Sequence, residues 1–131
     1  MVAYTPIKEN IGSVLVYLNN FPLYIIIQIF ILSTMLLSLC GVHMMVTITT
    51  LALTITPGII GLSNVAFALT LLTCWYIAMS ISPFVPFAVI VADTIGEKTV
   101  NVTFKYNLKY AITMLFAAPI IILLVNYLEC L

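Results

Sequence analysis

Between Pro22 and Gly41 the chain runs for about eighteen residues, 23–40, that are almost all apolar. At 1.5 Å per residue such a run makes ~27 Å of helix, close to the ~20 residues that cross the hydrocarbon core of a bilayer. A chain carrying it must either bury it in a large core or leave it in lipid. Composition decides between the two, because 64% of the residues are hydrophobic, 6% are charged and the mean hydropathy is +1.28. A soluble domain of this size would lack the polar surface to face water. The expected fold class is therefore all-α and integral to a membrane, with three to four membrane segments in one domain.

The same composition excludes several functions. Four lysines, no arginine and four acidic residues balance to zero, so no basic face exists to meet nucleic acid. Cys40, Cys74 and Cys130 share no metal-ligand spacing with each other or with His43, the only histidine, and read as small packing residues. Neither G-x-S-x-G nor H-E-x-x-H occurs, and Asp93 has no second aspartate within a span. The chain is not expected to be an enzyme or to hold a cofactor.

Residues 1–21 mix Lys8, Glu9, Asn10, Asn19 and Asn20 with Val14, Leu15, Val16 and Leu18, a pattern suited to an interfacial segment that does not span. It is a poor signal peptide, since the strong apolar run begins only after Pro22 and no small-residue cleavage site follows. Residues 22–131 make up the transmembrane domain. After the first span, residues 42–56 are apolar but rich in threonine, and the chain then breaks at Pro57-Gly58 and around Gly61-Leu62-Ser63-Asn64. Fifteen residues of helix reach only ~23 Å, so this arm is expected to enter the membrane and turn back as a re-entrant hairpin.

A second run, 65–80, is interrupted by Ser80-Ile81-Ser82-Pro83-Phe84-Val85-Pro86, after which 87–92 is apolar again. Two prolines three apart remove two donors and push their predecessors out of helical geometry, predicting a discontinuous helix. A polar loop is expected at 93–109, which holds five of the eight charges, and a last span at 110–127 with Tyr106, Tyr110 and Tyr127 as anchors and a kink at Pro119. Lys98, Lys105 and Lys109 place that loop in the cytoplasm. A hairpin at 42–64 would put Met1 on the same side, whereas four ordinary spans would put it outside. The positive-inside rule favours the hairpin by one lysine.

Irregular backbone within apolar sequence is the feature most suggestive of function, because freed carbonyl and amide groups are costly in lipid unless they are buried in protein or line a wet cavity. Broken helices aim half-helix termini at ions, and Ser, Thr or Asn oxygens replace a cation's hydration shell. Ser63, Asn64, Ser80, Ser82 and Pro83 sit at the two breaks. Thr47, Thr50 and Thr54 share one helical face that could line a passage. His43, at the mouth of the threonine-rich arm, and Asp93, just after the broken helix, are the candidates for ion or proton coupling, with Na+ or H+ as the coupling ion. Each has a plainer reading: Ser and Thr often bond their own helix, and a histidine at a segment boundary often bonds backbone. Asn101-Val102-Thr103 fits a glycosylation sequon, but a cytoplasmic loop would never meet the enzyme.

The order of Gly41-Val42-His43, Val46-Thr47-Ile48-Thr49-Thr50-Leu51, a glycine-bearing turn, a span with Trp75, Ser82-Pro83-Phe84, and a polar loop before the last span resembles the C-terminal end of permeases in the ion transporter superfamily. That group includes TRAP-type large subunits and divalent-anion/sodium symporters. The resemblance covers roughly 23–127. It implies that a hairpin tip at 57–64 and a broken helix at 80–86 meet at a site for substrate and cation. Met44 stands where a proline would be usual, and Val85-Pro86 where small polar residues would be. The resemblance further implies a multi-pass protein of the cell (inner) membrane that moves a small anionic organic solute and is incomplete without an N-terminal half or a second protomer. The alternative is a non-transporting membrane subunit that packs against a partner.

Overall fold

The computed structural model describes residues 20–131, and among them every regular element is helical. α1 spans Leu23–Leu39, α2 Met44–Thr54, a 3-10 turn Pro57–Ile60, α3 Asn64–Ile81 and α4 Pro86–Ile95. The last helix, α5, occupies Thr99–Glu129. Its first turn, Thr99–Asn101, leads into a π-helical stretch, Val102–Asn107, before regular α-helix resumes at Leu108–Glu129. The expected interfacial segment, 1–21, lies outside the described residues except for its last two.

α1 starts at Pro22, whose carbonyl accepts from the N–H groups of Ile25 (2.8 Å) and Ile26 (3.3 Å). It stops at Gly41, which turns left-handed at φ 85°. There the Gly41 N–H donates to Ser38 O (3.1 Å) and the Val42 N–H to Leu37 O (3.0 Å). These are the paired bonds of a helix end built around a residue without a Cβ. Ile26, Ile27 and Ile31 of α1 share a buried cluster with Phe67, Cys74 and Ile77 of α3 and with Ala111 and Ile122 of α5. Outside that cluster α5 remains apolar, with Ile112, Phe116, Ile120 and Leu124 exposed. A helix that is apolar all round belongs in a large core or in lipid. Two stretches, Asn64–Ile95 and Thr99–Glu129, are long and apolar enough to cross a membrane by length and composition.

Side-chain bonds fix how the helices run. Ser38 near the end of α1 donates to Ala78 O near the end of α3 (3.1 Å), and Ser82 donates back to Ser38 O (3.1 Å). α1 and α3 are therefore parallel neighbours. α5 runs against them: Asn107 donates to Ser80 O (2.9 Å) at the end of α3, while Asn126 accepts from the Ser63 N–H (2.7 Å) at its start. The chain leaving α1 must accordingly travel back to the opposite end of the bundle before α3 begins. This corrects the re-entrant hairpin expected at 42–64, which would return the chain to the end where α1 finishes. The eleven-residue α2 falls short of that distance, but the extended residues after it and the 3-10 turn bring the connection to about 30 Å, against about 27 Å for α3.

The polar loop expected at 93–109 shrinks to a turn at Gly96, Glu97 and Lys98. α4 continues through Asp93 and Thr94, and α5 begins eleven residues ahead of Tyr110. In the first turns of α5 the Asn101 side chain donates to Glu97 Oε2 (2.8 Å), and Val102 and Thr103 are buried. Local charge suggested loop; burial of these two residues makes it helix. Thr103 is fully buried and donates to Thr99 O (3.0 Å). The α-helix Leu108–Glu129 includes Pro119 in its interior.

Candidate functional site

The broken helix lies between α3 and α4. Ser82 and Val85 are extended at ψ 123° and 141°, Pro83 and Pro86 contribute no N–H, and Pro86 takes the first position of α4, where a missing donor is harmless. The break is narrower than the expected 80–86, since Ser80 and Ile81 remain helical. Ser82 is buried; its hydroxyl donates to Ser38 O and accepts from the Phe84 N–H (3.4 Å). Backbone groups around the break are met from both sides. Ala78 O accepts from the Ser82 N–H (3.1 Å) and from the Ser38 hydroxyl, and Ser80 O accepts from the Asn107 amide. Asn107 thus supplies one bond that the break would otherwise leave unmade, at Ser80 O.

A cavity opens on each flank of the break. One, of about 240 Å³, is lined by Ser38, His43, Trp75, Met79, Ser82 and Phe84 among others. The other, of about 400 Å³, is lined by Ser80, Asn107, Tyr76, Tyr110, Met79 and Phe87. The π-helical stretch of α5 ends at Asn107, level with Ser80, so irregular backbone in both long helices meets in one layer. π-turns inside α-helices recur at functional sites.

The residues singled out in the sequence divide between places. His43, Ser82 and Pro83 gather at the break, with Ser80 on its other flank. Exposed His43 caps α2, its Nδ1 accepting from the Met45 N–H (3.3 Å). Ser63 and Asn64 stand at the far end of α3. Ser63 caps that helix by accepting from the Ala66 N–H (3.1 Å), and Asn64 is exposed. About 27–28 Å of helix separates these two from Ser82. The implied meeting of the 57–64 and 80–86 tips therefore does not occur within this chain. On α2, Thr47 is half-buried, while Thr50 and Thr54 are exposed and donate to Val46 O (2.7 Å) and Thr50 O (2.6 Å), so each of the two bonds its own helix. Asp93 is exposed near the end of α4. Among the described residues, no group of three His, Cys, Asp or Glu side chains is placed to hold a metal ion.

Three polar residues that sequence reasoning passed over do the joining: Ser38, Asn107 and Asn126. Asn126 clamps the 57–63 turn at two points, accepting from the Ser63 N–H and donating to Gly61 O (3.3 Å). Gly61 is itself left-handed at φ 77°. The available signal was an asparagine inside the apolar run Ile120 to Leu128, a residue type that bonds across helices when surrounded by lipid or core. No family model, curated protein or solved structure matches the chain.

Proposed function

We propose that the chain is a membrane-embedded half of a secondary transporter, moving a small anionic organic solute by coupling to a Na+ or H+ gradient, with a second half or protomer completing the site. The observation that carries this reading is the break at 82–85 inside an otherwise continuous apolar stretch, Asn64–Ile95, with a cavity on each side and the π-turn of α5 beside it. A discontinuous helix facing a partner repeat is the usual construction of a solute site in such carriers; here Asn107, between Lys105 and Lys109, bonds Ser80 O, which sets the break toward the cytoplasmic end of the spans. Only one of the two sequence breaks takes part. In this reading α1, the 42–63 connection, the α3–α4 unit and α5 each cross an inner membrane. Lys98, Lys105 and Lys109 lie at the cytoplasmic face, and both ends of the described chain lie outside.

A second reading has its own support. Ser38, Asn107 and Asn126 already bond the backbone at both irregular segments, and a chain so stitched would serve equally as a non-transporting subunit that acts by packing against a partner.

Uptake separates the two. Membrane vesicles from cells that naturally make the chain are loaded against an imposed sodium or proton gradient and given radiolabelled succinate, citrate or lactate. Deleting the chain is expected to abolish gradient-driven uptake of at least one of them. Restoring it with Ser82→Leu, which fills the break, is expected to leave uptake at least tenfold low, while Asn64→Ala restores it fully. Uptake indifferent to deletion would leave the packing subunit standing.

A further inference from the structure

A groove runs along the face between α3 and α5. It holds about 420 Å³ and is lined by Leu72 and Tyr76 from α3 and by Tyr110, Met114, Ala118 and Ile121 from α5, among others. Through Tyr76 and Tyr110 it joins the cavity that contains Ser80 and Asn107. The two tyrosine rings meet edge to face, centroids 6.5 Å apart. The trough is thus apolar along its length and polar at one end.

Its length has a scale. From Tyr110 to Ile121 is ~17 Å of helix, about half of a ~30 Å hydrocarbon core and so the depth of one leaflet. Two lysines of α5 stand level with the polar end, though neither lines the groove itself. Lys109 directly precedes Tyr110, and Lys105 lies about one turn earlier, in the π-helical stretch. Both are exposed, the Lys105 Nζ stands 5.4 Å from the Tyr106 ring centroid, and neither lysine pairs with a carboxylate among the described residues. Tyrosines at the headgroup level with unpaired lysines beyond them complement an anionic headgroup above an acyl chain.

We infer that the α3–α5 groove is a binding site for an anionic phospholipid, one acyl chain lying along Leu72, Met114 and Ile121 and the phosphate held by Lys105 and Lys109. The inference rests on the membrane location proposed above and not on transport.

The test uses the full chain, purified in mild detergent and titrated with phosphatidylglycerol or phosphatidylcholine of identical acyl chains, with bound lipid counted by native mass spectrometry. Phosphatidylglycerol is expected to bind more tightly. Lys105→Gln and Lys109→Gln are each expected to weaken it about fivefold, leaving phosphatidylcholine unchanged. Lys98→Gln removes the same charge at the Gly96 turn and is expected to change binding less than twofold. Thr73→Phe, which fills the groove wall, is expected to weaken both lipids, with helix content by circular dichroism unchanged. Equal affinity for the two lipids, or a loss at Lys98 as large as at Lys109, would overturn the site. Should alkaline carbonate release the chain from membranes, the membrane reading fails and takes this site with it; a chain that stays inserted yet shows no lipid preference removes the site alone.

Discussion

Replacing Ile27 with alanine is expected to cost the folded protein about 2–3 kcal/mol, the lower part of the range for emptying a packed position. Ile27 is fully buried in the cluster that joins α1, α3 and α5, so the deleted methyl groups leave a void bounded by three helices. In the membrane location proposed above the cost stays at the lower end, because lipid tails are as apolar as the core. In a bilayer the water-transfer contribution largely vanishes, leaving lost contacts and the void itself. Ile112→Ala removes the same atoms from the outward face of α5 and is expected to change stability by less than ~0.5 kcal/mol. Unfolding by sodium dodecyl sulfate titration from mixed micelles compares the two. Equal losses would mean that α5 is turned the other way.

The second large effect is at Asn126. Changing it to leucine strips the Ser63 N–H of its acceptor and Gly61 O of a donor in one step; Gly61 is exposed and Ser63 half-buried, so water replaces part of what is lost and the cost is that of ordinary hydrogen bonds, about 0.5–1.5 kcal/mol each. Cross-helix hydrogen bonds in membrane proteins average ~0.6 kcal/mol, because the unfolded chain finds other partners, so about 1–2 kcal/mol is expected for the pair. The loss should be local as well as global. Hydrogen exchange at the Ser63 amide is expected to accelerate at least tenfold, while amides in the middle of α1 keep their protection. Asn64→Leu, one residue away but exposed at the first position of α3, is expected to leave both unchanged. Similar exchange in the two variants would show that Asn126 is not the clamp.

Much of this architecture is written in local chemistry that a reader of the sequence can follow. Pro22 and Gly41 delimit α1 to within a residue, because one fixes φ where the first donors are free and the other supplies the left-handed stop. Pro83 and Pro86 mark the broken helix for the same reason. What local chemistry does not carry is direction. The length of α2 alone argues for a hairpin, and only the extended and 3-10 residues after it carry the chain to the other end of the bundle. Charge misleads at 93–109, where Lys105 and Lys109 are exposed on a helix whose other face buries Val102 and Thr103. Candidate residues fared by location. Ser82 and His43 come together because α1 and α3 are parallel, whereas Ser63 and Asn64 end up at the far end of α3, a separation set by tertiary packing that no spacing in the sequence reveals. The asparagines that join the helices were passed over because single polar residues in apolar runs look like noise until a partner backbone is placed opposite them.

Topology is the most direct test of this account. Single cysteines placed at Asn20, Gly61, Lys98 and Leu131 are exposed to a membrane-impermeant thiol reagent in intact cells, in a background with Cys40, Cys74 and Cys130 replaced. With α1 and α3 parallel and the four crossings proposed above, labelling from outside is expected at Asn20, Gly61 and Leu131 and not at Lys98. Protection of Asn20 together with Lys98 would put both on the cytoplasmic side, which requires the 42–63 connection to turn back, and would contradict the parallel packing of α1 on α3.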